Sequence, residues 1–270
     1  MSAVIIESTS VNAMTSGVIP APSGIQVGDT LLCIVMDDQS ESANIVLPAG
    51  WVLIQNGHNS STDYIEYQIG YKVAVLADTT ATDYTFTNCE GGVIYRLSNC
   101  APTAIGVGIG VPDSPDTLLI VVGMSADNDS DWASFSGYSV TGAGSPTITE
   151  RYDIHQNTGF RCSMGVGDGF GTTQAEITAF DVTITANTDT LDDTLKLLIQ
   201  VPSIVDATGT NALLAVSPTQ FSQAGVAGTT GTNALHEPNP EFLSQSGRGQ
   251  RGTPWVNQDK PSSNWNNLPK

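Results

Sequence analysis

The stretch "DTLLCIV" at residues 29–35 returns further along the chain as "DTLLIVV" at residues 116–122. Each copy follows a turn and is almost wholly apolar. A short apolar run bounded by turn residues reads as a central strand covered on both faces. Around these two runs the chain alternates. In "YIEYQIGYKV", Ile65, Tyr67, Ile69, Tyr71 and Val73 share one face, with Tyr64, Glu66, Gln68 and Lys72 on the other. "DYTFT" turns Tyr84 and Phe86 inward, "FRCSMGV" does so with Phe160, Cys162, Met164 and Val166, and "FDVTIT" with Phe180, Val182 and Ile184. "LKLLIQV" adds Leu195, Leu197, Ile199 and Val201. A period of two marks half-buried strands.

Turn residues separate these runs: "PAG" before Trp51, "NCEGG" at 88–92, "PDSPD" at 112–116, "TGAGSP" at 141–146 and "GDGFG" at 167–171. No stretch before residue 203 carries an apolar stripe of helical period. About a dozen short strands with such turns predict an all-β, antiparallel sandwich of jelly-roll or immunoglobulin-like type over residues 1–202. The two related runs suggest halves at 1–100 and 101–202. These would form the two sheets of one sandwich, or two small tandem sandwiches. Independent convergence of two central strands is the competing explanation.

The formal net charge is −18 and only 13% of residues are charged. Nucleic-acid binding needs clustered Lys and Arg, so this balance argues against it and against anionic membrane surfaces. No apolar run approaches the roughly 20 residues of a membrane span, and the N-terminus lacks the pattern of a secretory signal. Four cysteines without such a signal suggest synthesis in a reducing cytoplasm. Cys33 and Cys162 read as small buried hydrophobes. Cys89 and Cys100 fall at opposite ends of one predicted strand, ~35 Å apart if extended, and are not expected to bond.

Catalytic patterns are sparse. His58, His155 and His236 are placed in polar loops or the tail, and no nucleophile elbow or Cys-His signature accompanies them. With 27 acidic residues, a glycosidase-like carboxylate pair can be drawn anywhere and so is not informative. "GVGIGV" at 106–111 alternates glycine with branched residues, as a strand or flat loop does, not a phosphate-binding turn. For a metal, Asp127, Asp129 and Asp131 stand at alternate positions of "ADNDSDW", an oxygen set suited to Ca2+. Trp132 occupies the place where a calcium loop needs glycine, which favours a solvated acidic loop. No other cofactor is implied. Tyr64, Trp132 and Tyr138 read as outward aromatics on which a sugar ring could stack, while Trp51 reads as core.

From residue 203 the composition changes to Gly, Ser, Thr, Asn and Pro with apolar residues set singly, as far as "TPWVNQDKPSSNWNNLPK" at the end. A segment of this kind cannot build a core of its own. Its closing part, 248–270, holds Arg248, Arg251, Lys260 and Lys270 against Asp259 alone, whereas the basic residues of 1–202 are only Lys72, Arg96, Arg151, Arg161 and Lys196. Trp255 with Asn257 and Trp265 with Asn267 repeat a W-x-N unit at a spacing of ten. Large aromatics on an extended, mildly basic chain suit anchoring in pockets of a neighbour. Residues 203–270 are therefore expected to act as an assembly strap through Trp255, Asn257, Lys260, Trp265, Asn267, Arg248 and Arg251.

Five features resemble a β-sandwich module of tailed-bacteriophage tail, appendage and surface proteins: Gly28-Asp29 leading into an apolar strand, "PAGW" at 48–51, a strand closing on Lys72-Val73-Ala74, "DYTFT" at 83–87 and "YRLSN" at 95–99. The closing "WVNQDKPSSNW" is similar to short repeats that end many phage virion proteins. The resemblance spans residues 1–202. It implies a non-enzymatic structural component of the virion, made in the host cytoplasm, with copies of itself or other virion proteins as partners. Alternatively it implies a fibre or head-spike module binding a host-surface glycan, and less readily a polysaccharide-degrading enzyme.

Overall fold

The structure is a computed structural model that describes residues 4–12, 16–37, 44–58, 65–112, 114–127, 132–155, 161–187 and 193–204, with only the backbone of residues 12, 127 and 161. All of these lie in the first of the chain's two units, Met1–Asp206. The first half contributes β1 (Ile5–Asn12), β2 (Val18–Pro20), β3 (Thr30–Asp37), β4 (Val52–His58), β5 (Glu66–Val73), β6 (Asp83–Thr85) and β7 (Gly91–Ser98). The second contributes β8 (Gly106–Val107), β9 (Thr117–Asp127), β10 (Ala133–Thr141), β11 (Thr149–His155), β12 (Arg161–Gly171), β13 (Ala179–Ala186) and β14 (Asp193–Val201).

The two repeated runs are the central strands of two five-stranded sheets, ordered β1-β7-β3-β5-β4 and β11-β12-β9-β14-β8. Every pairing within them is antiparallel. Read from the other edge, the second sheet is β8-β14-β9-β12-β11. It matches the first strand for strand in chain order, β1 with β8, β3 with β9, β4 with β11, β5 with β12 and β7 with β14. The internal repeat therefore extends from one short sequence match to the topology of both halves.

The halves form one sandwich. Leu32, Ile34 and Met36 of β3 enter the same core as Leu118, Ile120, Val122 and Met124 of β9. Alternation sends their neighbours to the opposite faces, where second cores await. Leu31, Cys33 and Val35 pack with Trp51, Tyr84, Phe86 and Ile19, under the small β2–β6 sheet. Leu119 and Val121 pack with Phe135, Val140 and Val182, under the β10–β13 pair. A strand with apolar cores on both sides must be apolar at every position, which is why "LLCIV" and "LLIVV" show no alternation. Each buried Leu or Ile contributes about 2 kcal/mol relative to an exposed one.

Polar side chains tie the sheets together along one side. The hydroxyls of Thr9 in β1 and Tyr152 in β11 lie 2.5 Å apart. Tyr95 in β7 donates to Asp168 in β12 at 3.1 Å, and the thiol of Cys162 in β12 donates to Glu90 at 2.6 Å. β1 thus faces β11 and β7 faces β12. Since β11 is the counterpart of β4, and β12 of β5, this is the arrangement that a two-fold relation between the halves requires.

Three local expectations change. "GDGFG" at 167–171 is not a turn but the closing part of β12. Asp127, read as part of a solvated acidic loop, is the last residue of β9. His58 and His155 end strands β4 and β11 instead of lying in loops. All four cysteines are buried thiols, with Cys89 and Cys100 in different cores. Burial pushes these last two up, Cys89 to about 12 and Cys100 to about 11.

Candidate functional site

Trp132 and Tyr138, read from sequence as outward aromatics, lie where β10 crosses β12 and β11. What lets β10 lie there is an absence of side chains. On the outer face of β12, Gly165, Gly167, Gly169 and Gly171 stand at alternate positions. The inner face carries Cys162, Met164, Val166 and Asp168. A Cβ on Gly165 would collide with Cγ of Phe135, and one on Gly167 would lie 2.8 Å from the Tyr138 ring. Gly123, directly opposite Gly165 on β9, would put a Cβ 2.6 Å from the same Phe135. The two facing glycines form the socket for Phe135. A period-two run of glycines means a bare sheet face on which another layer rests, and that signal was present in "GVGDGFG".

Above this strip the polar groups converge. Trp132 stacks on the imidazole of His155 with ring centroids 4.0 Å apart and 12° between planes. Asp153, two residues before His155 on the same face of β11, accepts the backbone N–H of Phe135 at 3.2 Å. Its carboxyl is held above the ordinary range by burial, against the lowering effects of that N–H and of His155. Tyr138 is half-buried with its hydroxyl fully enclosed. Among the described residues that hydroxyl meets no hydrogen-bond partner. Burial, with Glu150 and Asp153 nearby, raises its pKa well above the usual phenol range. Tyr138 therefore packs on the sheet, a different setting from the outward ring expected of a sugar platform. One face of Trp132 is already covered by His155.

A second polar centre lies inside the sandwich. Asp168 is 7% exposed and accepts from Tyr95 as well as from Arg151, whose Nη2 lies 2.8 Å from Oδ1. The guanidinium also sits 5.9 Å from the Tyr95 ring centroid. A third, at the same level of the first sheet but on its outer face, joins Lys72, Asp78 and Tyr84. The ammonium is 2.6 Å from Asp78 Oδ1, which also accepts from the Tyr84 hydroxyl at 3.0 Å, while the Val75 N–H donates to Oδ2 at 2.8 Å. Arg96 and Asp29 form a fourth, Nε to Oδ2 at 2.5 Å. In each, charges are satisfied by partners within the fold, so these centres act first as fasteners.

Of the other residues named from sequence, Tyr64, Asp129 and Asp131 lie outside the described residues, as do Arg248, Arg251, Trp255, Asn257, Lys260, Trp265 and Asn267. Asp127 is described in backbone only, as the end of β9. Among the described residues no group of three or more His, Cys, Asp or Glu is disposed to hold a metal ion. No protein family, characterised protein or solved structure matches the chain.

Proposed function

We propose that this protein is a structural, non-enzymatic component of a tailed-phage virion, and that it assembles through the strap of residues 203–270. The observation that carries the reading is the pairing of two unlike parts in one chain. One is a sandwich with three stacked cores in which Asp29, Asp78 and Asp168 are each paired with a cation inside the fold. The other is a tail whose sequence cannot form a core yet carries two W-x-N units. The positions behind the phage resemblance are structural ones here: Asp29 caps the entry to β3, "PAGW" turns into β4, Lys72 and Val73 close β5, and "DYTFT" contains β6. Charge supports the same division. Acidic residues far outnumber basic ones over 1–204, whereas 248–270 is net basic. A basic strap end complements the acidic surface of a neighbour.

Deleting residues 244–270 is expected to leave a folded sandwich that no longer enters the particle, read as its absence from purified virions beside a wild-type control. Incorporation at the wild-type level would overturn the reading.

A further inference from the structure

The ends of the two halves meet at one point. Leu31 lies opposite Arg96 in the first sheet, and its counterpart Leu118 lies opposite Val201 in the second. Three residues further along, Asn99 therefore corresponds to Ile204. These counterparts bond directly to each other, the Ile204 N–H donating to the Asn99 carbonyl at 2.9 Å. The Ala101 N–H donates to the Pro202 carbonyl at 2.9 Å, and Cys100 and Ser203 form the antiparallel bridge between. A bond between counterparts places the pseudo-two-fold axis at Ile204.

Buried hydroxyls hold the same residues. Ser203, Ser114 and Thr117 are each 2% exposed or less. The Ser203 N–H donates to Ser114 Oγ at 3.0 Å, and the two Oγ atoms lie 3.1 Å apart. Ser203 Oγ donates to the Pro115 carbonyl at 3.3 Å, and Thr117 Oγ1 to the Ser114 carbonyl at 2.5 Å. The repeat does not ask for this cluster. In the first half Val27, 63% exposed, takes the place of Ser114, and Ser98, the counterpart of Ser203, donates to Glu7. The arrangement is also strained. Asn99 and Asp116, beside the two sets of bonds, have φ of 56° and 59°. Left-handed backbone outside glycine persists only where its surroundings hold it.

We infer that residues 202–204 are a latch that opens from 99–101 and Ser114 as one local unit while the sandwich stays folded. Ile204 is 45% exposed, so one end of the set already meets solvent. Short sets of bonds at the rim of a fold open below the free energy of global unfolding. Opening lengthens the root of the strap, since three extended residues add about 10 Å of reach. That use rests on the strap reading given above; the latch itself rests on the bonds just described.

Hydrogen exchange on the full-length chain tests it. The wild-type amides of Ala101, Ser203 and Ile204 are expected to share one opening equilibrium. It should be at least tenfold more open than that of Val121 in the centre of β9, and insensitive to low urea because little surface is exposed. Ser114→Ala leaves the Ser203 N–H buried without its acceptor and should speed exchange at all three by roughly 10- to 100-fold. Ser203→Cys sets a thiol opposite Cys100. The two flanking bonds make these a non-hydrogen-bonded pair, about 4.5 Å apart at Cα, which a disulfide can span. Oxidised glutathione, itself reduced to two thiols, should close that bond and raise Ala101 and Ile204 to the protection of Val121; a reductant should undo it. If the three wild-type amides match Val121 in protection and urea dependence, 202–204 is an inseparable part of the fold and the latch falls. Three different equilibria would mean residue-by-residue fraying and no latch. If Ser114→Ala changes none of them, or no disulfide forms, the bonds that define the latch are wrong. None of these outcomes touches the strap reading, which stands or falls with the deletion of 244–270.

Discussion

Lys72, Asp78 and Tyr84 illustrate how single residues are held. Burial alone would push the Asp78 carboxyl up, but the Lys72 ammonium, the Val75 N–H and the Tyr84 hydroxyl outweigh it and hold the group below its ordinary range. A carboxylate whose pKa is lower in the folded chain contributes stability that is complete above the unfolded value, near 4. That stability is lost as pH falls through the folded value. Lys72→Met leaves Asp78 buried without its cation and is expected to cost about 2–4 kcal/mol at pH 7. The deficit should shrink as pH falls below about 4, where protonated Asp78 needs no counter-charge. Denaturant unfolding of both chains between pH 7 and pH 3 checks this. A deficit that stays constant over the range would show that packing of the lysine stem, not its charge, is what was lost.

At the scale of elements, β12 carries the sharpest demand on sequence. Gly165→Ala drives a methyl group against Cβ and Cγ of Phe135 and forces β10 off the sheet, at an expected cost of about 3 kcal/mol. Gly106→Ala in β8 is the control, because a Cβ there meets nothing within 4 Å; a change below about 0.5 kcal/mol is expected. Equal effects in thermal melts of the two variants would mean that β10 does not rest on the glycine strip. The central strands were legible from sequence because burial on both faces leaves a continuous apolar run. β5, β13 and β14 were legible because period-two alternation records which side meets the core. β12 was cut short because glycine was read for its turn propensity. In "GVGDGFG" the Cβ is missing to admit a neighbouring layer, a requirement set by Phe135 and Tyr138 on a different strand. The placement of Tyr138 was missed for the same reason, since its burial depends on a bare sheet supplied by another strand. The polar links Tyr95–Asp168 and Thr9–Tyr152 join residues 73 and 143 positions apart, and alternation within one strand says nothing about such partners.

For the whole molecule, the repeat explains how a chain with so few charges builds three cores. Each half supplies a sheet with an apolar strand at its centre, and the halves bury the central core between them while each covers its own outer face. The tail's sequence carries aromatic anchors without the composition of a core, and the proposed function assigns them to a neighbour. The most direct measurement is the solution mass by light scattering of the full-length chain beside a chain ended after Ile204. A defined oligomer that becomes a folded monomer on truncation is the expected result. The same oligomer from both chains would contradict assembly through the strap.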